Sequence, residues 1–284
     1  MTGASWCPVG SVDFGRLAEA RLQAHYAAQW LARAARAFIP AKPDDSHTSL
    51  GWDEGLDGFV THPLNDGAHL GLKISDLTLA LVSAKGNERA QAIELNGRTD
   101  KEARAWLGEQ LAAKGHDAGA LDAKPPYEIP AHAIAKGGKF DAAALADALR
   151  ELAAWFANAN LSLGRVRQEY AAKHEVSPVR CWPHHFDIAA LISLDPGGGE
   201  RARSVNAGLS PGDGSYNEPY FYVSPWPYPE AAKRPRLPKL GLWHTKGFTA
   251  AVAPASRIVA AKDRQQETEA FLAEAVEGSI KALG

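Results

Sequence analysis

Two adjacent histidines and two carboxylates lie close together in the segment 182–226, as His184, His185, Asp187 and Glu218. Side chains of these types can bind a metal ion or transfer protons. Aspartate and glutamate are almost never fully buried unless they are paired, and aliphatic residues would build a core better. We therefore predict that this segment contains the functional site of the chain.

The spacing of these residues fits a metal site. On a strand, His185 and Asp187 would share one face, because residues two apart point the same way. His244, on a later predicted strand, would be the third ligand and complete a 2-His-1-carboxylate triad, the set used by non-haem Fe(II) oxygenases. We expect Fe(II) as the metal ahead of Zn, Mn or Cu. His184 replaces His185 as a ligand if the strand register differs by one residue.

Two further residues complete this interpretation. Arg257 lies thirteen residues after the predicted third ligand, near the place where 2-oxoglutarate-dependent oxygenases carry a basic residue. We predict that Arg257 anchors an anionic cofactor such as 2-oxoglutarate through its guanidinium group. Asp187 and Glu218 are the predicted catalytic residues, Glu218 as an acid, a base or an extra ligand. In the alternative, His185 and Asp187 pair with backbone or each other at a sheet end, and Glu218 forms a surface turn.

A second interpretation rests on aromatic residues. Tyr222, Trp226 and Trp243 could stack a small ligand, and His47 lies in a turn-rich loop where functional residues often occur. Aromatic residues in strands also serve core packing. The leading prediction is a metal-dependent, oxidoreductase-like enzyme that acts on a small organic molecule. The alternative is a non-catalytic small-molecule-binding protein with an aromatic cleft, and a third option is an interaction module.

One hydrolase motif is rejected on chemical grounds. The segment 208–212 has the Gly-x-Ser-x-Gly pattern of a nucleophile elbow, with Ser210 at its centre. The residue after the nucleophile must donate its backbone N–H to the oxyanion hole, and here that residue is Pro211, which has none. The chain also lacks P-loop, Gly-x-Gly-x-x-Gly and His-Glu-x-x-His patterns, so the nucleotide and zinc-protease classes lose their support.

The composition and charge of the chain limit the classes of partner that it is expected to bind. The chain has 284 residues, a net charge of −2 and 45% hydrophobic residues, which is ordinary for a globular protein. This charge balance predicts no nucleic-acid or membrane partner, and the oligomeric state stays open. With only Cys7 and Cys181, a disulfide framework is excluded. The N-terminal residues lack the features of a secretory signal, so we expect a cytoplasmic protein.

The first half of the chain is predicted to be rich in helices. Apolar residues recur at helical spacing over 13–38, with Asp13 as the N-cap. Thr99 and Glu102 form a capping-box pattern that predicts a helix over 100–114. A third helix is expected over 141–158. Alternating leucines predict β-structure over 69–83.

The second half is predicted to be rich in strands. Gly/Pro turns separate six expected strands, and a helix is expected over 264–283. The strands are expected over 179–182, 186–194, 203–209, 220–224, 242–248 and 256–260. These elements predict a single α+β domain, 1–284, with helices flanking a mostly antiparallel sheet. It would be helix-rich over 1–165 and strand-rich over 166–262, with a C-terminal helix over 263–284. A barrel or sandwich in the C-terminal half and a split near residue 165 stay open.

Several motifs resemble a bacterial protein family, one of the domains of unknown function. They are, in order, Ser177-Pro-Val179, Trp182, Phe186-Asp-Ile-Ala189, Pro211-Gly212 and Glu218-Pro-Tyr-Phe-Tyr222. The segment 44–52 belongs to the same pattern, so the resemblance covers most of the chain. It implies no activity, because none is assigned to the family. Members with small residues in place of His184 and His185 make Asp187 and Glu218 the more general features.

Overall fold

The computed structural model describes residues 5–82, 91–199 and 202–284. They form an α+β fold with two antiparallel sheets. The chain divides into two compact units, which we describe separately. The N-terminal unit consists of residues 12–153 and 181–186, and the C-terminal unit consists of the described parts of 1–11, 154–180 and 187–284. The single-domain organisation expected from the sequence stays a prediction.

The N-terminal unit combines helices with a five-stranded meander. Its strands are paired in chain order, β1-β2-β3-β4-β5, and every pairing is antiparallel. Short 3-10 helices occupy 46–48, 118–122 and 133–136. The longer elements are α1 (Phe14–Phe38), β1 (Gly51–Asp53), β2 (Gly58–Val60), β3 (His69–Lys73), β4 (Thr78–Val82), β5 (Gln91–Glu94) and α2 (Asp100–Ala113).

The predicted elements of this unit are largely confirmed. The Asp13 carboxylate caps α1 by accepting a hydrogen bond from the Gly15 N–H, 2.8 Å away. The predicted apolar stripe of α1 is buried along its whole length. Thr99 and Glu102 form the expected capping box at the start of α2. The alternating leucines form the β3–β4 hairpin, while Ser83, the last residue of that predicted segment, lies outside the described residues.

The C-terminal unit is built on a second antiparallel sheet. Its strands lie in the order β11-β12-β10-β9-β8-β6. Among the described residues the two end strands, β11 and β6, are not paired with each other, so the barrel considered from the sequence is not formed. The remaining elements of the chain are α3 (Ala146–Tyr170), β6 (Glu175–Val176), β7 (Arg180–Trp182), β8 (Asp187–Ser193), β9 (Ser204–Ser210), β10 (Tyr220–Trp226), β11 (Leu242–His244), β12 (Ala250–Pro254), α4 (Ala255–Val259) and α5 (Arg264–Leu283).

Two predicted elements, one from each half of the chain, need correction. The strand expected over 256–260 is wrong, because residues 256–259 belong to α4, Ala260 caps that helix, and the strand β12 comes before it. The third helix does not span 141–158; α3 begins later and extends to Tyr170. The helix expected over 264–283 is confirmed as α5, which contacts β9 and β10.

The two faces of the C-terminal sheet differ in chemistry. Ala189, Gly208, Tyr222 and Val252 lie in one row of paired residues, and directly paired residues project to the same face. Since residues two apart along a strand share a face, this face also carries further side chains, which are Asp187, Asn206, Tyr220 and His244. We call it the polar face. The opposite face carries fully buried apolar residues such as Ile188, Leu209 and Phe221.

No helix among the described residues combines the length and the apolar character that crossing a membrane requires.

Candidate functional site

A tyrosine–aspartate pair lies at the centre of the polar face. The Tyr222 hydroxyl donates a hydrogen bond to Oδ2 of Asp187, which is the first residue of β8. The side-chain amide of Asn206 lies 3.5 Å from the same hydroxyl. Burial, and then the negative charge of Asp187, raises the pKa of Tyr222 well above its usual value. Tyr222 is therefore a fixed hydrogen-bond donor at neutral pH.

Gly208 makes this pair sterically feasible. It lies on β9, between Tyr222 on β10 and Ala189 on β8. A Cβ atom at position 208 would lie 2.6 Å from both Cζ and Oη of Tyr222 and 2.8 Å from the backbone oxygen of Ile188. The tyrosine ring thus crosses β9 in the space that the glycine leaves, and this brings its hydroxyl to Asp187.

A second tyrosine–aspartate pair forms where β9 connects to β10. The Tyr220 hydroxyl donates to Oδ2 of Asp213 at 2.6 Å. The other oxygen of Asp213 accepts hydrogen bonds from the backbone N–H groups of Ser215 (2.7 Å) and Tyr216 (3.0 Å), which fixes the carboxylate in its turn. Burial and the hydrogen bond to Asp213 raise the pKa of Tyr220. The Tyr220 ring centroid lies 6.2 Å from that of Tyr222, so the two pairs are neighbours.

His244 joins the same cluster through Tyr216. Its Nε2 lies 2.7 Å from the Lys246 carbonyl oxygen, which can only accept, so Nε2 carries a hydrogen. In the uncharged ring Nδ1 then accepts from the Tyr216 hydroxyl, 3.0 Å away. The His244 ring stacks on Phe248 with centroids 4.2 Å apart. Binding of a metal at His244 would therefore have to break one of these two hydrogen bonds.

Glu218 and Arg257, predicted as a catalytic residue and an anion anchor, both make contacts around α4. The Glu218 carboxylate accepts from the Ser256 backbone N–H at 2.5 Å and from the Ser256 hydroxyl at 3.1 Å. The Arg257 guanidinium donates to the carbonyl oxygens of Leu240 (3.4 Å) and Gly241 (3.1 Å). These contacts give both side chains a structural role, and their functional roles stay predictions.

The predicted strand position of His185 is wrong. His184 and His185 lie in a turn that precedes β8, where the backbone N–H groups of His185 and Phe186 both reach the Trp182 carbonyl oxygen. Phe186 has φ of +59°, an uncommon backbone conformation for a bulky residue. The strand begins only at Asp187, so the expected same-face alternation of His185 and Asp187 does not exist. His185 belongs to the N-terminal unit and Asp187 to the C-terminal unit.

The two histidines form a pair in the N-terminal unit. Their ring centroids lie 4.3 Å apart, His185 is exposed and His184 is half-buried. Tyr127 lies beside His184 with ring centroids 5.7 Å apart. Burial, and then the neighbouring His185, lowers the pKa of His184. His184 is therefore uncharged at neutral pH, which is the form of imidazole that binds metals.

A buried histidine, His25, stabilises the turn that contains His184 and His185. Nε2 of His25 on α1 lies 2.7 Å from the Pro183 carbonyl oxygen, which also accepts from the Gln29 side chain at 2.9 Å. The His25 ring stacks on Phe186 with centroids 5.0 Å apart. Burial lowers the pKa of His25 to about 4. His25 thus serves as an uncharged hydrogen-bond donor that fixes the position of the histidine turn.

The four predicted substrate-binding residues do not form one cleft. His47 is buried, and its Nδ1 accepts from the Lys42 backbone N–H at 3.2 Å. Trp243 pairs with Ala251, which pairs with Val223, so Trp243 projects to the apolar face, opposite to Tyr222. Trp226 lies at the exposed end of β10, on the polar face. Binding roles for these residues stay predictions.

The predicted metal ligands are not brought together as one set. In the C-terminal sheet three strands separate Asp187 on β8 from His244 on β11, a lateral distance of roughly 19 Å at about 4.8 Å per strand. Among the residues that the structure describes, no group of three or more His, Cys, Asp or Glu side chains could hold a metal ion. The metal site stays a prediction.

Asp213 and Tyr216 are the members of the cluster that the sequence did not mark. Both lie in the loop between β9 and β10, where Asp213 directly follows the Pro211-Gly212 pair. The available signal was the spacing of Tyr220 and Tyr222, because two tyrosines two apart on a strand must share a face. Acidic residues in the adjoining loop were the natural partners for their hydroxyl groups.

Comparison of the chain with family models, curated proteins and solved structures gave no match. The resemblance noted from the motifs therefore stays a prediction, and the functional argument rests on the geometry of the site.

Proposed function

We propose that this protein binds a small organic cation at the polar face of the C-terminal sheet. The observation that carries the proposal is the row of three tyrosine hydroxyl groups, each hydrogen-bonded to a different acceptor on or beside that face. The acceptors are Asp187, Asp213 and His244. A sheet that only needed to fold could fill these positions with apolar residues, as it does on its other face.

The charges of the cluster favour a positively charged ligand. Asp213 and Glu218 contribute two carboxylates beside Tyr216, Asp187 contributes a third further along the face, and Arg257 is the cation whose charge acts on Tyr216. Tyrosine is protonated at neutral pH, and burial raises the pKa of each of the three further above its usual value. Each tyrosine therefore donates to its partner and adds no negative charge of its own. A cation would gain from both the carboxylates and the faces of the aromatic rings.

Exposure indicates where the ligand would enter. Tyr220 and Tyr222 are buried, and their hydroxyl groups bind the carboxylates of Asp213 and Asp187. Asp213 is exposed, and Tyr216 and His244 are half-buried. A ligand would therefore contact the Tyr216 and His244 rings and place its charge near Asp213.

Calorimetric titration with choline tests this proposal. Choline carries a quaternary ammonium group, and its uncharged counterpart 3,3-dimethylbutan-1-ol has the same shape without the charge. We expect choline to bind and the alcohol to bind at least about tenfold more weakly, which corresponds to about 1.4 kcal/mol. Asp213→Asn should weaken choline binding by at least about tenfold. Glu274→Gln, which removes a charge from an exposed position on α5, should leave binding unchanged. Equal affinity for choline and the alcohol, or an unaltered affinity in Asp213→Asn, would rule the proposal out.

A metal-dependent enzyme is the second proposal, and the pairing of His184 with His185 favours it. Two imidazoles in adjacent positions, one of them with a lowered pKa, suit Fe(II), Zn, Mn or Cu. Arg257 and 2-oxoglutarate belong to the same proposal as anion anchor and co-substrate. Plasma mass spectrometry of untagged protein should find a near-stoichiometric metal that His185→Ala and His184→Ala lose. A protein that contains no metal and fails to take up added Fe(II), Zn(II) or Cu(II) would refute this second proposal.

The cytoplasmic location expected from the sequence stays a proposal.

A further inference from the structure

A separate pocket of about 350 Å³ lies in the N-terminal unit, at the beginning of α2. This volume is within the range of about 300–1,000 Å³ that small-molecule sites usually have. The pocket combines two acids and two bases with apolar side chains, which none of the predicted functions uses. The residues that line it are Trp30, Asp100, Lys101, Arg104, Asp122, Ile134, Ala135 and Gly137.

Arg104 and Asp122 satisfy each other. The Arg104 guanidinium donates to both oxygens of Asp122, at 2.9 Å and 2.7 Å, and to the Ala118 carbonyl oxygen at 3.0 Å. A bidentate pair of this kind is geometrically specific and leaves little charge for a ligand. The pair forms one wall of the pocket and fixes the 3-10 helix over 118–122 against α2.

Asp100 and Lys101 are the charges that remain. One oxygen of Asp100 accepts a hydrogen bond from Trp30 Nε1 at 2.8 Å, and Asp100 is partly buried. The nearby Arg33 guanidinium donates to the carbonyl oxygens of Leu121 and Ala123. Lys101 is exposed, and no ion pair joins it to another described residue.

We propose that this pocket binds a small zwitterion of the free amino-acid type. Its ammonium group would pair with Asp100 and its carboxylate with Lys101, while its side chain would lie against Trp30 and Ile134. Burial raises the pKa of Asp100, so a bound ammonium group would relieve an unfavourable desolvation.

Calorimetric titration with L-alanine, L-leucine and L-phenylalanine tests the proposal across side-chain sizes. Two partial ligands accompany L-leucine, namely 3-methylbutylamine, which lacks the carboxylate, and 4-methylpentanoate, which lacks the ammonium group. We expect at least one amino acid to bind with Kd of about 1 mM or lower. For leucine, each partial ligand should bind at least about tenfold more weakly than the zwitterion.

Variants assign the two charges. Asp100→Asn keeps an oxygen for Trp30 and should weaken amino-acid binding by at least about tenfold. Lys101→Gln, at an exposed position where folding is not at risk, should weaken it by several-fold, and Lys173→Gln on the other unit should leave it unchanged. The proposal is overturned if none of the three amino acids binds at about 10 mM, or if binding is the same in Asp100→Asn, Lys101→Gln and the unaltered protein.

Discussion

Replacing Gly208 with alanine tests how the tyrosine–aspartate pair is assembled. The added Cβ would lie 2.6 Å from two atoms of Tyr222 and 2.8 Å from the Ile188 backbone oxygen, and real Cβ contacts are essentially never shorter than 3.0 Å. The ring would have to move by roughly 1 Å to reach an ordinary contact distance. The backbone oxygen cannot move without disturbing the pairing of β8 with β9.

The expected cost follows from these contacts. Overpacking of a filled site costs about 1–3 kcal/mol. Alanine in place of glycine lowers the conformational entropy of the unfolded chain, and this stabilises the folded protein by about 0.4–1 kcal/mol. Because two clashes arise at once, the upper part of that range applies, about 2–3 kcal/mol of overpacking, and we expect Gly208→Ala to lower the free energy of unfolding by about 1–2.6 kcal/mol. The denaturant dependence of that free energy should not change.

A double-mutant cycle separates the two clashes. Tyr222→Leu removes the ring and leaves the contact with the Ile188 oxygen, so the cost of Gly208→Ala should fall in the Tyr222→Leu background. Urea denaturation of the four proteins, followed by fluorescence, measures both quantities. If Gly208→Ala is as stable as the unaltered protein, or if its cost is the same with and without the Tyr222→Leu substitution, the ring does not depend on the space above Gly208.

Three other contacts give predictions that can be measured in the same way. Asp13→Ala should lower stability by about 1 kcal/mol in urea denaturation because it removes the cap of α1, whereas Asp13→Ser keeps a capping oxygen and should cost much less. Glu218→Ala should cost about 0.5–2 kcal/mol through loss of the hydrogen bonds to Ser256, and Glu218→Gln, which keeps an oxygen acceptor, should cost less. The folded-state pKa of His25, about 4, is below its unfolded value of 6.5, so the unfolded chain binds more protons between these values. Stability from this residue is therefore complete above about pH 6.5 and falls by up to about 3 kcal/mol as the pH drops towards 4. His25→Gln should flatten the stability–pH curve in that window, and an unchanged curve would contradict the role of His25.

Local patterns predicted the elements whose causes are local. Asp13 and Thr99 cap the helices that follow them, and the alternating leucines of β3 and β4 form the expected hairpin. The misplaced strand over 256–260 has a non-local cause. The short helix α4 begins at Ala255, and Glu218, far away in the sequence, accepts the backbone N–H of its second residue, Ser256. Residue preference alone favoured a strand around Ile258.

The histidine turn could not be predicted for a similar reason. A turn whose last residue is a phenylalanine with positive φ has no sequence signature, since bulky residues rarely adopt this conformation. Here His25 and Gln29 bind the Pro183 carbonyl oxygen and stabilise the turn from another element. The strand therefore starts at Asp187, one residue later than the predicted segment 186–194, and the same-face alternation expected of His185 and Asp187 is lost.

The polar face shows why the individual residues were easier to predict than their arrangement. Asp187 and Tyr222 were both singled out from the sequence, yet their contact depends on the pairing of β8, β9 and β10. Within that pairing it depends on one glycine, because any larger residue at position 208 would occupy the space of the tyrosine ring. Sheet register also decides which aromatic residues can act together. A one-residue shift in the pairing of β11 would put Trp243 on the polar face in place of His244. The same shift in β10 would separate Tyr222 from Asp187. The chemistry of this face is therefore a property of the sheet as a whole, and it depends on the register of the strands as much as on the polar side chains.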